Sequence, residues 1–111
     1  MKKVYSIVEL ECIRKHMEEF VEFAGKNDAN TLPRCFHFCN LIIKNINICE
    51  KNDWDSIEEL SEYVFDDWCS AMEIHAGLPE YYILGNTNSE TQRINKEIED
   101  YIMGLDKLIS K

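Results

Sequence analysis

The side chains best equipped for chemistry in this sequence are five cysteines, three histidines and a dense run of carboxylates. Cys35-x3-Cys39 sets two thiols on one face of a helix, with His37 pointing elsewhere. A structural zinc site needs four ligands, commonly with a close C-x2-C-type pair, and no second pair completes one here. Asp53-x-Asp55 begins like a calcium loop, but the central Gly and the closing bidentate Glu are missing at the required offsets. Asp53 reads instead as a helix cap. Cys69 and His75 are six residues apart, which on a helix puts them on different faces. His16 and His37 fall in no Ser/His/Asp or Cys/His pattern. A pair such as Glu58 and Glu62 does acid–base work only inside a cleft. With no glycine-rich phosphate loop either, the expectation is a non-enzyme without metal or cofactor.

The elements that position these groups read as helices. Ser6-x-x-Glu9 forms a capping box, and Ile7, Leu10, Met17, Phe20, Val21 and Ala24 recur at three- and four-residue steps up to Gly25, a plausible stop. Pro33 suits the first turn of a second helix. The run Arg34 to Cys49 is apolar nearly all round, as in the buried centre of a bundle. Alternation at Phe36, Phe38, Asn40 and Ile42 keeps a strand open, though length favours helix. A third helix is expected from Asp53 to about Ala76, broken by Gly77-Leu78-Pro79. Ser89-x-x-Gln92 opens a last helix with an apolar face at Ile94, Ile98, Tyr101, Ile102, Leu105, Leu108 and Ile109.

The expected fold is all-α, a single-domain bundle of about four helices over residues 1–111. The chain is 45% hydrophobic, which fits a packed globule, and its 4 Gly and 2 Pro are too few for a turn-rich β-sandwich. The first apolar run ends at Glu9, too soon for a signal peptide, and no segment approaches a membrane span. An odd set of cysteines in apolar stretches fits reduced thiols acting as small hydrophobes. A cytoplasmic protein is expected.

Charge is the sharpest signal. The net charge is −9. Residues 50–80 hold ten acids against the single base Lys51, and the remaining residues balance at eleven of each. On a helical wheel Asp55, Glu59, Glu62, Asp66 and Glu73 fall opposite the stripe of Ile57, Leu60, Val64, Trp68, Ala71 and Met72. Glu58–Glu62, Asp55–Glu59 and Glu62–Asp66 are like-charge i,i+4 pairs, each destabilising by about 0.2–0.5 kcal/mol. A solvated face aided by the helix dipole explains Asp53, Asp55 and Glu58. Glu62, Asp66 and Glu73 lie beyond the first turn, where that help has faded. The other reading is a recognition surface for a basic protein.

Such a ridge repels phosphates and anionic membrane surfaces, so neither nucleic acid nor membrane is expected as a partner. Tyr63, Phe65, Tyr81 and Tyr82, near acids that include Glu58, Asp67 and Glu80, would supply aromatic anchors. In size, acidity and acid-plus-aromatic surface the chain resembles the immunity proteins of polymorphic, contact-dependent growth inhibition toxins. Asp55, Glu59, Glu62, Asp66, Glu73, Tyr81 and Tyr82 carry that resemblance. It implies a small helical inhibitor that covers the basic active-site region of a cognate nuclease toxin. Two alternatives remain: a phage-type acidic mimic of nucleic acid that blocks a defence nuclease, and a self-associating helical module using Tyr81-Tyr82-Ile83-Leu84.

Overall fold

A computed structural model describes residues 3–73 and 77–110. Four helices, α1 (Ile7–Asn27), α2 (Cys35–Lys51), α3 (Ile57–Ala71) and α4 (Asn88–Ser110), form an all-α bundle, with one 3-10 turn at Leu78–Glu80. It is elongated, 47 × 27 × 21 Å. α1 packs between α2 and α4, while α2 lies most extensively against α3. None of these helices is long and apolar enough to cross a membrane.

The Ser6–Glu9 capping box forms in both directions: Glu9 N–H donates to Ser6 Oγ (3.1 Å) and Ser6 N–H donates to Glu9 Oε1 (2.9 Å). Leu10, Ile13, Met17, Phe20 and Ala24 then line the buried face. α1 runs past Gly25 to Asn27 because the end is satisfied there. The Asn27 amide donates to Phe23 O (2.8 Å), and Asp28 N–H closes on Ala24 O (3.0 Å). α2 begins just beyond Pro33 rather than on it, through Phe36 N–H to Pro33 O (3.0 Å).

Helix wins over strand for α2, whose buried positions Cys35, Phe36, Cys39, Ile42, Ile46 and Cys49 follow a helical period. It is not the all-round buried centre its composition suggests. Asn40 and Lys44 face outward, and Ile48 is 47% exposed. The cysteines divide similarly. Cys35, Cys39 and Cys49 are core residues, and burial pushes the Cys39 thiol up to about 12, whereas Cys69 is exposed.

α3 starts later and ends earlier than its sequence suggests. Asp53 does not cap it. Asp53, Trp54 and Ser56 instead adopt left-handed backbone (φ 57°, 60° and 62°), and Ser56 occupies the N-cap without a side-chain cap bond. The helix closes at Met72, so Glu73 lies beyond it; His75 lies outside the described residues. α4 is capped two residues before Ser89, by Thr87 Oγ1 accepting from Glu90 N–H (3.1 Å).

Buried Trp68 ties α3 to α4 by donating Nε1–H to Asp106 (2.9 Å). Buried Tyr5 ties the N-terminal segment to both. Its N–H donates to Ser61 Oγ (3.0 Å) and its hydroxyl donates to Ile109 O. The segment after the 3-10 turn docks on α4 at Ile83, where Asn95 accepts from Ile83 N–H (2.9 Å) and donates back to Ile83 O (2.7 Å).

Candidate acidic face and α2–α3 groove

α3 contributes five carboxylates, Glu58, Glu59, Glu62, Asp66 and Asp67, and no Lys or Arg. The first four are exposed. The stripe of Leu60, Val64, Trp68 and Ala71 is buried beneath them, so the apolar seam fixes which way the acids point. Asp67 is half-buried on the flank; burial and then the neighbouring charge of Asp66 push its carboxyl above the usual carboxylate range.

The acidic face is narrower than the charge count over residues 50–80 implies. Glu50 is taken up by Arg14 (2.7 Å), which also donates to Asn47 (2.9 Å) and holds Glu50 below its ordinary value. Glu73 is exposed but past the helix end, and Glu80 sits in the separate 3-10 turn. Asp55 precedes the helix, in the left-handed turn rather than on its first coil. Its carbonyl accepts from Cys49 Sγ (3.1 Å), which pins the turn to the end of α2.

Tyr81 and Tyr82 are not brought to this face. They line a cavity with Met72, Ile102 and Met103 between the 3-10 turn and α4. Tyr81 is a packing residue: its ring meets Phe36 edge-on at 4.9 Å and its hydroxyl donates to Asp28 (2.8 Å). Burial, then that bond to Asp28, raises its phenol pKa. Tyr82 is 60% exposed.

Tyr63 does stay with the acids. It is 52% exposed and donates its hydroxyl to Glu59 Oε1 (3.2 Å), a bond that raises the phenol pKa together with the charges of Glu59 and Glu62. Tyr63 and Glu59 border an open groove of about 310 Å³ between α2 and α3, floored by Leu60 and Ile48 and edged by Asp55. Ile48 is the functional candidate that the sequence reading missed. Its signal was present, because it lies roughly 120° around α2 from Ile42, off the buried period.

Among the described residues no three His, Cys, Asp or Glu side chains converge as metal ligands. The arrangement offers negative charge, an aromatic face and apolar floor, which suits recognition of a cationic surface. No family model, curated protein or solved structure matches this chain.

Proposed function

We propose that this chain is an inhibitory binding protein that neutralises a basic protein, of the nuclease-toxin kind, through the exposed face of α3. One observation carries the reading: α3 holds five carboxylates without a single Lys or Arg, and four of them are exposed. One lysine at this spacing would relieve that repulsion, and the lack of any in α3 fits a surface that meets a cation-rich partner. Complementary fields of this kind raise association rates by about 10–10³-fold at low salt.

The test is capture from native lysate at two salt concentrations, beside a variant carrying Glu59→Gln, Glu62→Gln and Asp66→Asn. The expected result is one stoichiometric basic partner, lost with the variant and at high salt, whose nuclease activity falls when the chain is added. A partner held equally by the variant, or no partner at all, overturns the reading. A second reading, self-association, is favoured by the exposed side chains Tyr82, Leu84 (81%) and Met103 (51%). It predicts a concentration-dependent dimer in sedimentation that Leu84→Asp abolishes.

A further inference from the structure

We propose that the α2–α3 groove is an arginine receptor: it takes one arginine side chain of the basic partner, stacked on Tyr63 and donating to Glu59 and Asp55, with a neighbouring aliphatic residue on Ile48. The inference rests on the basic-partner reading and adds the chemistry that would make it selective.

Three features converge on that occupant. The groove has an apolar lining of buried Leu60 with Ile48 and Tyr63, the latter two about half exposed. Its edge carries two carboxylates, Asp55 and Glu59, and no cation lines it. The Tyr63 ring is held by its own hydroxyl bond to Glu59, so the aromatic face and the carboxylate are already oriented together. Side chains restrained before binding lose less entropy when the ligand arrives.

Arginine answers all three features at once. Its guanidinium is planar, stacks on an aromatic face and donates in a fork to a carboxylate. Lysine offers a compact, strongly hydrated charge with neither the planar face nor the fork. A phosphate or sugar-phosphate ligand would be repelled by both carboxylates. The volume, about 310 Å³, is at the small end for ligand pockets, as expected for one side chain and a neighbour rather than a cofactor.

The left-handed turn completes the site. A left-handed residue other than Gly is disfavoured, and three of the four residues 53–56 adopt that conformation. Backbone of this kind persists only where its surroundings hold it, here by the Cys49 thiol on Asp55 O and by Trp54 N–H on Cys49 O (2.8 Å). Asp55 is thereby fixed at the groove edge rather than left on a free loop.

The experiment is an NMR titration of the full chain with three acetylated hexapeptide amides at up to millimolar concentration. They have a leucine flanked by two arginines, by two lysines, or by two citrullines. The arginine peptide is expected to shift the Ile48 methyl and Tyr63 ring signals saturably, at least fivefold more tightly than the lysine peptide, with the citrulline peptide inert. Tyr63→Leu and Glu59→Gln should each weaken it about three- to tenfold, while Glu18→Gln on exposed α1 should change nothing. Both test positions are exposed, so the bundle should fold in each variant. Equal binding of arginine and lysine peptides, or shifts at Glu62 and Asp66 without Ile48 and Tyr63, overturns the receptor and leaves the acidic-face reading standing. No shift with any peptide also overturns it. Failure of the acidic-face reading shows separately, as a captured partner indifferent to salt and to the triple variant.

Discussion

Helices α3 and α4 each bury one apolar stripe, but they carry exposed charge in opposite ways. Along α4, Arg93 sits 3.6 Å from Glu97 and Lys96 sits 4.0 Å from Asp100, both i,i+4 pairs. α1 does the same with Lys26 and Glu22 at 3.0 Å. α3 places Glu58, Glu62 and Asp66 at that spacing with no base among them. Helical propensity and core packing explain all three helices equally well. They do not explain why α3 alone carries its acids with no Lys or Arg among them, and that contrast marks out its surface.

The largest break in the comparison is removal of the buried link between the two helices. Trp68→Ala should lower stability by about 3–5 kcal/mol, read by urea unfolding, because it empties the core and leaves Asp106 without its indole donor. Tyr5→Phe comes next, at about 1 kcal/mol for the lost hydroxyl bond to Ile109 O. This position also has a pH signature. Burial first, then the charges of Cys69 and Glu9, pushes the Tyr5 phenol from its ordinary 10 up to about 12. The folded state therefore holds that proton more tightly, and the stability it contributes is present below pH 10. It is lost as the pH rises from 10 through 12, and the Phe variant should lose that slope.

Ser56→Gly sharpens the contrast by relaxing one left-handed residue. A net gain of about 0.5–1 kcal/mol is expected, the relief of strain less the added freedom of the unfolded chain. The smallest effect is the most telling. Glu62→Lys exchanges repulsion with Glu58, Glu59 and Asp66 for attraction and should raise the melting temperature by the equivalent of about 0.5–1 kcal/mol. Lys96→Glu on α4 should lower stability by a few tenths of a kcal/mol. If Glu62→Lys stabilises the chain while weakening its partner complex, the acids are retained for binding; if it destabilises the chain, they serve the fold.

Much of the bundle was legible in the chain. The Ser6–Glu9 box and the apolar periods of α1, α3 and α4 needed only local rules. The errors cluster where local rules are degenerate or overruled. Thr87-x-x-Glu90 and Ser89-x-x-Gln92 are equally good capping patterns. The helix takes the first, with Thr91 N–H closing on Thr87 O (2.9 Å) and Thr91 Oγ1 accepting from Gly85 N–H in the loop before it (2.8 Å). The turn at 53–56 was unreadable because left-handed backbone is ordinarily signalled by Gly or Asn, and Asp53, Trp54 and Ser56 adopt it under constraint from α2. Tyr81 looked like a surface anchor by composition, yet the Phe36 ring and the approach of Asp28, 53 residues away, turn it inward. The exposed acids of α3 were legible, since a wheel needs no tertiary knowledge. The groove beside them was not, because it exists only once two helices meet.

The clasp made by Tyr5 has a mechanical consequence. Its hydroxyl grips the backbone at Ile109, 104 positions along the chain. A pull on the two ends therefore loads this bond at the last turn of α4, together with the Tyr5 N–H bond to Ser61 in α3, before it reaches α1. Under force the molecule should hold at near-constant length and then yield abruptly, rather than fraying from α1 or α4 in small steps. With Phe at position 5 the same pull should peel α4 away gradually, at lower force.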